Sequence, residues 1–190
     1  MAERGRDTGS DVTGTIEPGT GPLAAITEIR GLGMILIRAD LTRAGDALAE
    51  AAGLAVPATT RFTTDGARWL GWMAPDELLL ILPATDTAAT LAALRDALST
   101  EPALVEDVSA MRCVFDLSGP RAVEVLMKLT PADLSALPAD GLRRTRAAQV
   151  ACALWRHGDG WRVIAFRSIR DYLAEVLARA AAPGTGLAPR

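Results

Sequence analysis

The sequence feature that most constrains the fold is a repeated order of elements, with matching landmarks about eighty residues apart. An apolar run around Ile35 predicts a buried strand, and a second run around Phe115 predicts its counterpart. Helix starts follow nearly the same offset, with Asp86 in the first half and Ser168 in the second. Each half is therefore predicted to contain a strand, a helix, a β-hairpin and a second helix.

This order favours a duplicated α+β fold, with two sheets and helices on their faces, over alternating βαβ units. We expect a single domain over residues 23–182, made of two pseudo-repeats at about 23–110 and 111–182. Residues 1–22 are rich in Gly, Thr, Asp and Glu and lack aromatic residues, so a disordered N-terminal tail is predicted there. A flexible C-terminal tail is predicted over residues 183–190, which contain two Pro and two Gly.

Composition argues against several functional classes. The net charge is −3 and Lys128 is the only lysine, so we expect no polybasic surface for nucleic acid or for membrane phosphates. No apolar stretch is long enough for a signal-peptide core or a membrane span. A cytoplasmic protein is the default expectation.

Residues suited to catalysis or metal binding are scarce. The only histidine, His157, is predicted to lie in an exposed hairpin turn, and the two cysteines, Cys113 and Cys152, are predicted to be buried structural thiols. The sequence contains no zinc-ligand spacing, no Walker lysine and no GxSxG nucleophile elbow. We therefore expect no catalytic, cofactor-binding or metal-binding residue in this chain, and a binding or structural role is favoured.

Asp107 is the carboxylate with the clearest local pattern. It precedes Val108 and Ser109 at the predicted end of a strand. In that place it can cap local backbone or orient a bound partner, and the capping interpretation is favoured.

Tryptophan and arginine residues are the candidate interface groups. Trp69 and Trp72 are three residues apart in a predicted strand, so their side chains are expected on opposite faces of the sheet. Tryptophan is enriched at the centres of protein interfaces, and arginine pairs with carboxylates across them. Arginines crowd the C-terminal half, where alternation along the strands would place several on a common face. The candidate interface residues are Trp69, Trp72, Arg144 and Arg167; the alternative is an ordinary place in a core or on a solvated surface.

Several short segments occur in a recognisable order, namely Trp69–Leu80 (WLGWMAPDELLL), Val105–Ser109 (VEDVS), Phe115–Ala122 (FDLSGPRA), Pro131–Leu134 (PADL), Arg144-Thr145, and Arg167-Ser168 with the helix that follows. No single segment is specific. Together, their order and spacing resemble the gamma subunit family of heterotetrameric sarcosine oxidase over about residues 24–182.

The resemblance implies a fold similar to the folate-binding aminomethyltransferase domain, which is glycine cleavage T-protein-like. It implies a non-catalytic accessory gamma subunit, with alpha, beta and delta subunits as partners and alpha as the expected direct contact. The complex of this family oxidises sarcosine to glycine with formation of hydrogen peroxide, and it passes the one-carbon unit to tetrahydrofolate. FAD, FMN, NAD and tetrahydrofolate are then expected in the partner subunits and none in this chain.

Two alternative functions remain open at the level of sequence. One is a stand-alone folate-binding or aminomethyl-transfer protein, in which Asp107 is the candidate to hold the pterin ring. The other is a regulatory module that binds a small metabolite between its two halves.

Overall fold

The computed structural model describes residues 21–187. The ten strands of this range are β1 (Ala25–Ile29), β2 (Leu32–Arg38), β3 (Phe62–Thr64), β4 (Trp69–Ala74), β5 (Glu77–Pro83), β6 (Leu104–Asp107), β7 (Arg112–Ser118), β8 (Leu142–Ala147), β9 (Val150–His157) and β10 (Gly160–Phe166). Its four α-helices are α1 (Leu41–Ala52), α2 (Thr87–Ala97), α3 (Ala122–Met127) and α4 (Arg170–Ala181). Most of the predicted N-terminal tail, residues 1–20, lies outside the described residues, as do residues 188–190.

The strands form two antiparallel five-stranded sheets with equivalent strand orders. The N-terminal sheet has the order β3-β4-β5-β2-β6, and the C-terminal sheet has the order β8-β9-β10-β7-β1. The predicted α+β class, with a strand, helix, hairpin and helix in each half, is confirmed. One edge departs from simple repetition, because β1 precedes the first half in sequence but pairs with β7 of the second. The division into pseudo-repeats at residue 111 stays a prediction.

The two sheets stack face to face, and the helices cover their outer faces. One apolar cluster joins the N-terminal sheet to α1 and α2, and another joins the C-terminal sheet to α3 and α4. A third cluster lies between the sheets; its buried members are Met34, Trp69, Met73, Leu79, Ile81, Val108, Val114, Leu142, Ala153, Trp155 and Ile164. The result is four layers in the order helix, sheet, sheet, helix, and the space between the sheets is filled with apolar side chains.

Local sequence fixes where helix α1 begins and ends. The carboxylate of Asp40 accepts a hydrogen bond from the Thr42 backbone N–H, which is an N-cap. At the other end Gly53 has a φ of 73°, the left-handed conformation that closes a helix with little cost for glycine.

The chain beyond α4 packs back onto the domain as far as it is described. Lys128 donates from Nζ to the Ala180 carbonyl and, at 2.8 Å, to the Thr185 carbonyl. The backbone N–H of Leu187 donates to the Glu124 carboxylate at 3.1 Å. These contacts involve residues of the segment 183–187. The flexibility expected for the C-terminal tail over residues 183–190 stays a prediction.

Candidate functional site

Trp69 lies inside the chain's own core. Its side chain is part of the cluster between the sheets, and the residue is only 7% exposed. Its ring stacks on that of Trp155, with 4.3 Å between centroids, and Phe62 packs against it at 5.5 Å. Gly71 makes the space for it, because a Cβ there would lie 2.1 Å from the indole. These contacts give Trp69 a structural role between the two sheets.

Trp72 lies on the opposite face of the same strand, as the spacing predicted. It is partly buried and packs against the cluster under α1 and α2. Its backbone N–H donates to the Arg61 carbonyl at 3.0 Å. Of the two tryptophans that are candidate interface residues, Trp72 therefore retains more accessible surface.

Arg144 lies on β8, the outer strand of the C-terminal sheet. Alternation along this strand puts Leu142, Arg144 and Arg146 on the face that packs against the other sheet. Leu142 is covered there, whereas both arginines are exposed. The Arg144 Nη1 donates to the Met73 carbonyl of β4 at 2.9 Å. Arg144 therefore bridges the two sheets at the point where their packing ends.

A groove of about 330 Å³ opens at this end of the stack. Three arginines line it, Arg112 of β7 with Arg144 and Arg146, and Phe166 of β10 joins them. Small β9 residues, Ala151 among them, also line it. We call this surface the arginine groove and define it by Arg112, Arg144, Arg146 and Phe166.

Arg112 occupies the inner part of the arginine groove. Its guanidinium carbon lies 4.3 Å from the centroid of the Phe166 ring, a cation–π arrangement. Its Nε is buried and has no hydrogen-bond acceptor within residues 21–187. Burial lowers the pKa of Arg112 most, and the Arg144 charge lowers it further, against the opposing charge of Glu77. This guanidinium remains protonated near neutral pH, so the groove holds fixed positive charge.

Arg167 lies beside the same groove and connects it to a second cluster. Its Nη2 donates to the Arg112 carbonyl at 2.6 Å, and its Nη1 lies 3.5 Å from Glu28 Oε1. Glu28 Oε2 also accepts from Arg170 at 2.8 Å and from Arg30 at 2.9 Å. The Arg170 hydrogen bond, aided by Arg30 and opposed by desolvation, lowers the pKa of Glu28 to about 2. Glu28 therefore stays ionised and holds Arg167 and Arg170 in place.

Of the four candidate interface residues, Arg144 lines the arginine groove, whereas Arg167 lines a neighbouring cleft with Glu28 and is linked to the groove by its hydrogen bond to the Arg112 carbonyl. Trp69 and Trp72 do not join that surface, although Met73, next in sequence, lines the groove. Sequence reasoning did not single out Arg146 or Arg112. The i,i+2 spacing of Arg144 and Arg146 was a signal that could have identified Arg146 once β8 was assigned as a strand.

The remaining polar residues singled out from the sequence have local structural roles. His157 is exposed at the end of β9, and Cys113 and Cys152 are free buried thiols, all as predicted. Burial raises the pKa of Cys152 to about 11. Asp107 Oδ1 accepts from the Ser109 backbone N–H at 2.9 Å and from its hydroxyl, which confirms the capping interpretation.

Over residues 21–187, no group of three or more His, Cys, Asp and Glu side chains is placed to hold a metal ion. In the same range, every α-helix is too short or too polar to cross a membrane.

The glycine cleavage system aminomethyltransferase T from Bartonella henselae superimposes with a TM-score of 0.61 at 20% identity, covering 84% of this chain and 46% of that one. The fold is thus of the aminomethyltransferase T class. More specifically, the chain belongs to the sarcosine oxidase gamma subunit family, because the model of that family matches residues 38–183.

Individual relatives agree with this assignment. Sarcosine oxidase subunit gamma of Corynebacterium sp. (strain U-96) is 38% identical over 133 residues, which cover 66% of this chain and 63% of that relative. The Arthrobacter sp. subunit is 42% identical over 97 residues, with 49% and 46% coverage. The chain thus spans less than two thirds of the length of these relatives. A chain of heterotetrameric sarcosine oxidase from Corynebacterium sp. U-96, in complex with pyrrole 2-carboxylate, superimposes with a TM-score of 0.80 at 31% identity over 88% of both chains.

Proposed function

We propose that this chain is a non-catalytic accessory subunit of a heterotetrameric sarcosine oxidase. The single observation that carries the proposal is the superposition with a TM-score of 0.80 over 88% of both chains on a component of such a complex. In this proposal the alpha, beta and delta subunits are the partners, with alpha in direct contact. The assembled enzyme converts sarcosine to glycine, forms hydrogen peroxide and transfers the one-carbon unit to tetrahydrofolate.

The proposal assigns the chemistry to the partner subunits. FAD, FMN, NAD and tetrahydrofolate are held there, and the complex is cytoplasmic. Support comes from what the polar groups of this chain already do: Asp107 is occupied by Ser109, and Glu28 is occupied by three arginines. A carboxylate that already accepts several hydrogen bonds is poorly placed to act as a general base or to bind a pterin.

The surface proposed for contact is the side of the molecule that carries Arg144 and Arg167. Arginine is enriched at protein interfaces and can form two parallel hydrogen bonds with a carboxylate. Trp72 is a second contact in this proposal, because the residue is only partly buried. Trp69 contributes indirectly, by holding the two sheets together.

The experiment that tests the function is purification of the tagged chain from its native cells, followed by absorbance and peroxide assays. We expect larger subunits to copurify with a yellow flavin spectrum and with sarcosine-dependent peroxide formation. The matched control is the same purification with an unrelated tagged protein of similar size. A well-folded, colourless chain that is recovered alone would contradict the proposal.

A further inference from the structure

We propose that the arginine groove is a docking site for an acidic segment of a partner subunit. This inference rests on the proposed function and adds the chemistry of the contact, namely one or more Asp or Glu carboxylates seated between Arg112, Arg144 and Arg146. The segment is part of a folded protein partner, and a free small anion does not suffice to fill the site.

The position of the groove follows from the way the sheets overlap. Trp155 and Ile164 on the inner face of the C-terminal sheet are covered by the other sheet. Phe166 lies two residues beyond Ile164 on the same face, and it is 44% exposed. The inner face thus continues beyond its cover, and the side chains change from apolar to arginine at that point. A partner that fits here would extend the covered area by continuing along the same face.

Charge identifies the chemistry of the occupant. Most arginines of residues 21–187 have a carboxylate partner, and those that form no ion pair in this range are Arg112, Arg143, Arg144, Arg146 and Arg156. Three of these five line one groove. Glu77 acts on Arg112 only through its field, since the two form no ion pair. Grouping like charges raises the energy of the free surface, and an incoming carboxylate relieves this repulsion.

Apolar surface beside the groove favours a protein over a small anion. Met111, immediately before β7, is 55% exposed, and the exposed Phe166 ring pairs across the sheet with Arg112. Methionine, aromatic residues and arginine are the side chains enriched in protein interfaces. An isolated carboxylate or phosphate ion would leave these apolar groups in water, whereas a protein segment would cover them.

The chain's own N-terminal residues are an alternative occupant that the test must distinguish. Ala25 pairs with Ser118 at one end of β7. Arg112 is at the opposite end of that strand, roughly 20 Å away at the usual rise per residue. About six extended residues span that distance, so crosslinking decides between this occupant and a partner segment.

The test uses charge reversal in the full chain within the complex. Arg146→Glu is the principal variant, because the Arg146 side chain is exposed and makes no hydrogen bond or ion pair within residues 21–187, while the backbone pairing of Arg146 with Ala151 does not depend on the side chain. Arg143→Glu is the matched control: it lies on the same strand, is exposed, forms no ion pair, and points to the opposite face. We expect Arg146→Glu to weaken association with the partner subunits about tenfold or more, and Arg143→Glu to change it less than about threefold. Equal affinities for the two variants would overturn the docking site.

A second measurement identifies the occupant. A photo-crosslinking residue placed at position 146 should, on illumination of the assembled complex, attach to a partner peptide that contains Asp or Glu. Crosslinking to residues 1–20 of the same chain, to a second copy of it, or to a partner peptide without acidic residues would overturn the proposal. If the wild-type chain fails to assemble at all, the proposed function fails. If it assembles and Arg146→Glu assembles equally well, only the docking inference fails.

Discussion

Replacing Trp69 with alanine distinguishes a core role from a partner contact. The residue is buried between the sheets, stacked on Trp155 and bordered by Phe62. Truncation of a buried tryptophan typically costs about 3–5 kcal/mol, through lost burial and the cavity that remains. The Trp69 Nε1 has no hydrogen-bond acceptor within residues 21–187, so removing it offsets roughly 1 kcal/mol of that loss. We therefore expect the free energy of unfolding to fall by about 3 kcal/mol.

The assay is urea unfolding of the full chain followed by far-UV circular dichroism, because tryptophan fluorescence changes with the substitution itself. A slope of about 2 kcal/mol per molar urea converts the expected loss into a midpoint shift of roughly 1.5 M. Trp69→Phe retains an aromatic ring and loses the unpaired N–H, so its unfolding free energy should stay within about 1 kcal/mol of wild type. Trp72→Ala, at a partly buried position, should cost about half as much as Trp69→Ala.

Assembly measurements complete the comparison. Without urea, and at a temperature well below the melting temperature, Trp69→Ala chains that remain folded should still bind the partner subunits. A variant with nearly unchanged unfolding free energy and a strongly reduced yield of complex would refute this reasoning. That result would make Trp69 a direct partner contact, with its burial in the described chain relieved on assembly.

Three further predictions concern single contacts. The Arg170 hydrogen bond lowers the pKa of Glu28 from 4.5 to about 2, so the stabilisation by ionised Glu28 is present above about pH 4.5 and is lost as the pH falls toward 2. The melting temperature of Glu28→Gln should therefore depend less on pH between 4.5 and 2 than that of wild type, and the same pH dependence for both proteins would contradict this. Lys128→Met removes the ammonium donor at the end of α4 and should lower the free energy of unfolding, measured by thermal unfolding, by about 1–3 kcal/mol. An unchanged free energy of unfolding would show that these hydrogen bonds are dispensable. Gly160→Ala places a Cβ 2.1 Å from the Leu117 carbonyl oxygen and should cost about 1–3 kcal/mol, whereas an unchanged melting temperature would show that the backbone yields freely.

The central strands and most helices could be predicted because burial leaves a clear pattern in the sequence. The run around Ile35 is apolar at successive positions, since β2 is covered on both faces by the helices and by the other sheet. The hairpin of β9 and β10 carries glycines at its turn, and the structure places the two-residue connection at Gly158-Asp159. In each of these cases local chemistry and tertiary environment agree.

The edge strands β8 and β1 were missed for a physical reason, whereas the edge strand β6 was predicted. Strand β8 reads Leu-Arg-Arg-Thr-Arg-Ala, which has no apolar alternation because much of it borders solvent. Strand β1 was assigned to no element, and its partner β7 lies more than eighty residues away along the chain. Pairing over such a distance is set by which sheet edge remains open, and local propensity carries little information about it.

The candidate site was predictable only in its residue types. Arginine enrichment in the second half was visible; Arg144 lines the groove, and Arg167 donates to the carbonyl of Arg112, which also lines it. The tryptophan signal was ambiguous, because the large apolar area that suits an interface also suits a core. For Trp69, the stack on Trp155 from the equivalent strand of the other half decides in favour of the core.

A competing explanation for the arginines of β8 is protection of a sheet edge, where charged side chains discourage pairing with another chain. Protection depends on charge along the strand and is indifferent to which face the charge occupies, so it predicts the same behaviour for Arg143 and Arg146. Docking depends on the face, because among the arginines of this strand Arg144 and Arg146 line the groove beside Arg112 and Arg143 does not. Because side chains alternate between the two faces of β8, the two explanations differ in what they predict for Arg143 and Arg146. Equal effects of charge reversal at the two positions favour edge protection, and a larger effect at Arg146 favours docking.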